Sequence, residues 1–580
     1  MKSSTLLLFL VQFIFLSHSF SQDSFTNPDI ESILLGDYNP SDYYENLGPT
    51  SKTLVKARVM NDVNPDNLRF YLTEMNVFQT RNTGSDTLGN SGIGAARDYA
   101  LAKFQSFADS SFSPLLPSFF EFNEVICGVS RHKNICAIQP GTNTDDPSII
   151  IIEAHYDSRC ASVCDIECEA HGMEDNASGS ALVLELARVM SQNKYEHTIL
   201  YMLTVGEEQG LVGADALAKY CVQKGIQVKA VFNNDIVGGI ICGETSSGPS
   251  CPGEGDVDST QVRLFSHGQI SRQLPRWIKE QYKEEIRDEV SVPMLLTIMS
   301  IEDRLGRGGD HIPFRERGFT SMRFTSANEH GDANASDPDY HDRQHTSDDI
   351  LGVDTDNDGE LDSFYVDFNY LARNAVINGI SSSFAAIGPE QVNFEGFIDG
   401  DSILINILDD NDYLSYKIYS RSTMQDFDTS YVLAGSKSRY IVKNPGSNFA
   451  QFISVASVDD EEIESLFSAE NFVNTVLSNG SLVTIPVPEQ KIATLFQNRP
   501  NPFDEATSIG YIIHKDVDAK RIEVVIRDTN GNLVNRIPAS SSEGVNEVVY
   551  YHGYNKEGVF IYTLEIDGLP IESKTMVFAY

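Results

Sequence analysis

Positive charge is scarce in this chain. Lys+Arg number 43 against 83 Asp+Glu, a net charge of −40. That shortage excludes nucleic acid and anionic lipid as partners, since both would be repelled. It suits a soluble, exported protein, and clustered acids suit divalent cations. Long apolar runs are also missing. Beyond the first twenty residues no stretch approaches the ~20 apolar residues a spanning helix needs, so no integral membrane segment is expected in the mature chain. Cysteine is absent after Cys251, which leaves the C-terminal half without cross-links.

What is present begins with a targeting signal. Lys2 supplies the positive start, Leu6 to Leu16 the apolar core, and Ser19-Phe20-Ser21 the small residues before a cut at Gln22. Residues 1–21 therefore read as a signal peptide. Eight cysteines, Cys127, Cys136, Cys160, Cys164, Cys168, Cys221, Cys242 and Cys251, fit an oxidising destination. They allow on the order of a hundred pairings. Cys127 with Cys136 and Cys242 with Cys251 are the sequence-local guesses. Cys160, Cys164 and Cys168 form either a zinc site or disulfides, and export favours disulfides.

Apolar runs and helical periodicity alternate through the first two thirds. Asn67 to Leu72 reads as helix leading into a loop at Phe78 to Arg81, and Ala95 to Phe107 as helix. Ser148 to Glu153 is a β-branched run that reads as a central strand ending at His155-Tyr156-Asp157. Ser178 to Ser191 is helical, with Leu182, Leu186 and Met190 at four-residue steps. Ile199 to Val205 is a strand, a helix follows Gly210, and Lys229 to Asn233 is another strand. Such alternation predicts an α/β fold with a doubly wound, mostly parallel sheet, here over residues 22–385. Beyond it, short alternating stretches at Ser402–Leu408, Tyr413–Tyr419, Tyr440–Val442 and Gln451–Ala456 predict an all-β sandwich over 386–474. A linker with Pro486 and Pro488 occupies 475–493, and a second small all-β sandwich domain fills 494–580.

The chemistry concentrates where predicted strands end. His155, Asp175, Glu208, Asp235 and His345 are candidate metal ligands at or just after strand ends, the edge at which open α/β sheets bind ligands. Histidine and carboxylate together suit zinc, and a carboxylate can bridge two zincs. Two metals ~3.5–4 Å apart would acidify a bound water toward pKa ~7. A carboxylate that is not a ligand must take the water proton, and Glu207, beside Glu208, is free for that role. Asp157, two residues past His155, is placed to accept the imidazole N–H and fix its tautomer. His171, close to Asp175, is the histidine most easily mistaken for a ligand. His330 and His341 read as loop residues, and His132, His197, His267, His514 and His552 carry no motif.

Five ordered motifs make the chain similar to the family-28 metallopeptidases, the co-catalytic zinc aminopeptidases that include bacterial leucyl aminopeptidases. They are His155-Tyr156-Asp157-Ser158, Glu174-Asp175-Asn176-Ala177-Ser178-Gly179, Val205-Gly206-Glu207-Glu208-Gln209-Gly210, Asn234-Asp235 and Gln344-His345-Thr346-Ser347-Asp348-Asp349. The resemblance covers about residues 60 to 380. It implies that Asp175 bridges two zincs, that His155 and Asp235 complete one site and Glu208 and His345 the other, and that Glu207 is the general base. It also implies a cis bond between Asp175 and Asn176. Asp310 and His311 resemble a family segment near the pocket, a substrate contact or a neighbour of the ligands, with a structural histidine as the alternative. The sequence departs from the family at Glu174, often a second Asp there, and in a cysteine-rich insert from Arg159 to Gly172.

Three further resemblances complete the picture. Asp354, Asp356, Asp358, Glu360 and Asp362, with Gly359, are similar to calcium loops of dockerin and thrombospondin repeats, although Tyr365 stands where a bidentate Glu is usual. Residues 454–459 and 464–468 resemble the last strand of a fibronectin type III domain. Leu495 to Phe503, Thr507 to Tyr511, Val524 to Gly531 and Gly558 to Tyr562 resemble a type IX secretion sorting domain, which implies the secretion machinery as a partner and export across an outer membrane. The expected activity is a secreted aminopeptidase with two Zn²⁺, possible Ca²⁺ and peptide substrates. A glutaminyl cyclase-like transferase with one zinc, a carboxypeptidase, or a binding protein on an inactive peptidase fold are the alternatives.

Overall fold

The computed structural model describes residues 23–579, with internal exceptions of which the longest are 242–256, 328–342 and 475–492. The signal peptide, the linker and the Cys242–Cys251 pair therefore fall outside the described residues. A nine-stranded sheet forms the centre: β1 Ser24–Phe25, β2 Leu116–Phe122, β3 His132–Gln139, β4 Ile149–His155, β5 Thr198–Thr204, β6 Val228–Asn234, β7 Gln261–Phe265, β8 Leu295–Ile298 and β9 Ser321–Ser326. Their order is β1-β2-β3-β5-β4-β6-β9-β7-β8. The four middle strands, β5-β4-β6-β9, are mutually parallel. β3 joins β5, and β7 joins β9, in antiparallel fashion. The parallel centre is where the sequence is most uniformly apolar. Every residue of β4 and β5 is buried, as strands covered on both faces must be.

Helices α1 Asp29–Leu34, α2 Lys52–Asp62, α3 Pro65–Met75, α4 Gly92–Ala108, α5 Ser178–Met190, α6 Val212–Lys224, α7 Gln273–Glu285, α8 His311–Glu316 and α9 Phe368–Ile387 surround the sheet. α5 and α9 lie against β4 and β6, and α4 against β2 and β3. α6 and α8 pack on each other, α6 also on β2 and β3 and α8 on β6 and β9. Leu182, Leu186 and Met190 of α5 are fully buried, as the four-residue steps require. Because β4, β5 and β6 run parallel, the residues that follow them emerge at one edge: His155 ends β4, Glu207 and Glu208 follow β5, and Asp235 follows β6. No helix among the described residues is long and apolar enough to cross a membrane.

Two small β units follow. The first has a three-stranded sheet, Phe394–Asp399, Ser402–Ile407 and Tyr440–Lys443, and a four-stranded one, Thr429–Ala434, Ser415–Arg421, Ala450–Val458 and Asn471–Asn474. Ile405 from one sheet and Tyr416, Ile418, Ile453 and Val455 from the other share a core. The stretch 464–468, expected to belong to the last strand, is not one; it runs beside Ala450–Val458 through isolated backbone bonds, and Asn471–Asn474 is the final strand. The unit is welded to the α/β part. Tyr419, Ala456, Ile463, Leu466 and Phe467 belong to the main core, and Arg276 of α7 reaches Glu470 at 3.4 Å where both side chains are fully buried. The second unit, from Ala493 to Phe578, has two sheets and an apolar core made of its own residues.

Candidate metal centre

The turn after β5 is built around Gly206. Its φ of +77° is open to glycine, and a Cβ there would come within 2.9 Å of Ile126. Glu207 and Glu208 follow, and their backbone N–H groups donate to the two Asp157 carboxylate oxygens at 3.3 and 3.4 Å. Thr83 also donates to Asp157, at 3.2 Å. The Asp157 carboxylate thus orients the glutamate turn more than the imidazole. His155 Nδ1 lies 3.1 Å from the Asp157 carbonyl and 3.5 Å from its carboxylate. The tautomer role expected of the side chain falls first to the backbone of the same residue.

Asp175 sits in the tight turn before α5, and its bond to Asn176 is cis. Its oxygens divide between the histidines: Oδ1 is 3.1 Å from His155 Nε2 and Oδ2 is 3.0 Å from His345 Nε2. Asp235 Oδ1 lies 3.2 Å from His155 Nε2, and Glu208 Oε2 lies 3.2 Å from His345 Nε2. All five expected ligands therefore converge, in two groups that meet at Asp175. Glu207 groups with His155 and Asp235. The donor set fits two cations. His155, Asp175, Asp235 and His345 are all buried, and among the described residues Glu208 Oε1 is buried with no hydrogen-bond partner. Clustered buried charge of this kind is unfavourable unless cations or protons compensate it.

The electrostatics follow from that crowding. Burial alone would raise Asp175, but hydrogen bonds from His155 and His345 hold it well below the usual carboxylate range. Burial lowers His155 while Glu207 and Asp235 outweigh it and push the imidazole well up. Burial raises Glu207 well above an ordinary glutamate, with Asp235 and Glu208 adding to the effect and His155 opposing it. Asp310, at the start of α8, is pushed up to about 7, chiefly by burial, and accepts a hydrogen bond from Thr204. Asp310 is 1% and His311 0% exposed, as enclosed as His155 at 1%.

Several contributors carry no mark of their role in the sequence. Asp349 accepts the backbone N–H groups of Glu174 and Asp175 at 2.8 and 3.0 Å and so holds the Asp175 turn. Gln344 donates to Asp175 Oδ2 at 2.7 Å. Both lie in the His345 motif, which is the one signal that could have found them. Arg323 Nη2 is 3.1 Å from Asp235 Oδ2, and Arg159 Nε donates to Glu208 Oε2 at 2.6 Å. Arg81, fully buried, donates to the carbonyls of Tyr156, His171 and Gly172, tying the end of β4 to the Asp175 turn. Burial lowers its guanidinium to about 10.

The cysteines correct one expectation and bear out another. Cys127 pairs with Cys164, 37 residues away, and not with Cys136, which is a buried thiol. Cys136 lies on β3 and points into the main core, out of reach of a surface loop. Cys160 pairs with Cys168, so the clustered cysteines form disulfides and not a zinc site. His171 Nδ1 bonds the Asn76 carbonyl at 2.9 Å, away from the metal ligands, and His330, His341 and His514 lie outside the described residues. In the proposed calcium loop, Asp354, Asp356 and Asp362 converge. Asp358 and Glu360 do not join them. Asp358 Oδ1 accepts the Glu360 N–H, as Asp354 and Asp356 accept backbone N–H groups of the same turn.

Residues 134–361, which contain all five candidate ligands and Glu207, match the model of a peptidase family. The α/β part of the chain is similar to metallopeptidase hydrolases. The matching model is peptidase family M28. A probable zinc metalloprotease of Pyrenophora tritici-repentis is 31% identical over 47% of this chain and 65% of its own length. One of Pyricularia oryzae is 30% identical over 57% and 66%. The chain thus spans just under two thirds of these two relatives. Among solved structures, the LapA aminopeptidase of Legionella pneumophila is similar at 19% identity and a TM-score of 0.42, over 60% of this chain and 78% of that one. A leucine aminopeptidase precursor of Bacteroides thetaiotaomicron is similar at 16% identity and a TM-score of 0.35, over 57% and 98%.

Proposed function

We infer that the protein is a secreted zinc aminopeptidase that removes N-terminal residues from peptides with a pair of metal ions. The observation that carries this reading is the division of Asp175 between His155 and His345, 3.1 and 3.0 Å from its two oxygens. A carboxylate so shared is what a bridging ligand requires. His155 and Asp235 would complete one position, Glu208 and His345 the other. Bound zinc at such a pair acidifies water and polarises the scissile carbonyl. Glu207, close to His155 and Asp235, would take a proton on its carboxylate and pass it to the leaving amine. Its raised affinity for protons, caused by burial, suits an acid–base that must both accept and release. The surrounding carboxylates would attract the substrate's free ammonium group.

Export is supported by the N-terminal signal pattern and by the two disulfides. The C-terminal unit would then serve the secretion machinery, and the Asp354, Asp356 and Asp362 cluster would take calcium. The decisive experiment combines Glu207→Gln with a panel of free and N-acetylated peptides. Turnover should fall ~10²–10⁴-fold while zinc content stays normal. Near-normal kcat in the zinc-loaded variant, or equal cleavage of N-blocked peptides by the wild type, defeats the assignment.

A further inference from the structure

Resting on the reading of two metal positions, we propose that Arg159 makes the position formed by Asp175, Glu208 and His345 the weaker of the two. Arg159 opens the disulfide-bonded segment after β4. Its Nε donates to Glu208 Oε2 at 2.6 Å, and its Nη2 lies 2.8 Å from His345 Nδ1. Nη1 donates to the carbonyls of Cys160 and Ala161 at 3.2 and 3.4 Å. One guanidinium therefore touches two of the three groups of this position.

A guanidinium offers only donors. A neutral histidine that gives Nε2 to a cation carries its proton on Nδ1 and needs an acceptor there. His155 has one in the Asp157 carbonyl at 3.1 Å. At His345 the neighbour of Nδ1 is Arg159, so holding a cation through Nε2 sets one N–H against another unless Arg159 withdraws. The fixed positive charge also lies one carboxylate away from the cation and repels it. Charge alone does not separate the two positions, because Arg323 stands beside Asp235 at 3.1 Å. Arg323 engages Oδ2 and leaves Oδ1 to the side of His155. Arg159 engages the same Glu208 oxygen that faces His345. The donor conflict at His345 is what distinguishes the second position.

Withdrawal is hindered because the segment is anchored. Cys160 is bonded to Cys168 and Cys164 to Cys127. The Val163 carbonyl accepts from Asn82 Nδ2 at 3.0 Å and from Gln209 Nε2 at 2.9 Å. Loop movement therefore does not relieve the conflict, and its cost falls on metal affinity or on swinging the Arg159 side chain away from Glu208.

The test is zinc titration of the full chain in competition with a chromophoric chelator, with zinc content read by mass spectrometry. The wild type should bind two zincs in separable steps, the second at least about tenfold weaker, in keeping with what groups behind a ligand contribute. Glu208→Gln should abolish the weaker step and spare the tighter one. Arg159→Met, which keeps length and removes charge and donors, should tighten the weaker step at least about fivefold and leave the other unchanged. Arg159→Gln provides the same comparison if the Met variant does not fold. Indistinguishable steps in the wild type, loss of the tighter step in Glu208→Gln, or a weaker step that is unmoved, loosened or shifted together with the first in the Arg159 variants overturns the proposal. A wild type that takes up only one zinc at any excess defeats the two-metal reading itself, a different failure.

Discussion

Removing the Glu470 carboxylate should loosen the junction between the α/β part and the first β unit. Arg421 forks onto Glu470 with Nε and Nη2 at 2.5 and 2.6 Å, and Arg276 of α7 approaches it at 3.4 Å. The three side chains are 0–1% exposed. Glu470→Ala leaves two guanidinium groups without their shared carboxylate in a site that water does not reach. Breaking a buried pair by removing one partner costs ~3–5 kcal/mol, a large part of the ~5–15 kcal/mol that holds a typical domain together. Replacing the whole cluster, with Arg276→Met, Arg421→Met and Glu470→Leu together, should cost far less, because no charge is then stranded. The chain has a single tryptophan, Trp277, the residue after Arg276, and it is fully buried. Its fluorescence during urea unfolding follows this junction directly, whatever the C-terminal unit does. A Glu470→Ala midpoint shifted by the equivalent of less than ~1 kcal/mol, or a triple variant as unstable as the single one, refutes the reasoning.

Asp349→Ala frees the backbone N–H groups of Glu174 and Asp175 and should lower zinc retention ~10–100-fold, measured by chelator competition, with the fold intact by circular dichroism. Truncation after residue 475 should leave kcat/KM for small substrates within a few-fold, because among the described residues the last unit has an apolar core of its own. Burial raises Glu547, in the last unit, from 4.5 to about 7. A carboxyl raised on folding gives stability that is present below pH 4.5 and lost as pH rises through 7, so the isolated 491–580 segment should melt lower at pH 8 than at pH 5 by roughly 2 kcal/mol, and Glu547→Gln should flatten that difference.

The sequence shows the centre of the sheet clearly and its margins poorly. Ile149–Ile152 and Ile199–Leu203 are short β-branched or apolar runs set between helical periodicities, and burial on both faces produces that uniform pattern. The antiparallel additions β2, β3 and β7 leave no such trace. Their identity depends on which neighbour they join, and β2 mixes buried with half-exposed residues. The separateness of the first β unit was also misleading. Its alternation is visible, but Ile463, Leu466 and Phe467 face the α/β core, and a turn-rich stretch does not reveal what covers it.

By itself the sequence determined which atoms are available for chemistry: two imidazoles, four acidic groups and their order after strand ends. Those are covalent properties, and the spacing of 20, 33 and 27 residues between the first four ligands is read directly. Only the tertiary structure decided which groups face one another. Asp157 turned its carboxylate to the Glu207 and Glu208 amides, Cys127 found Cys164, Asp310 and His311 became buried, and Arg159 met His345 across 186 positions of chain. Hydrogen bonds and disulfides form between groups a few ångströms apart in space, and separation along the chain sets no such distance once the sheet has brought distant segments to one edge.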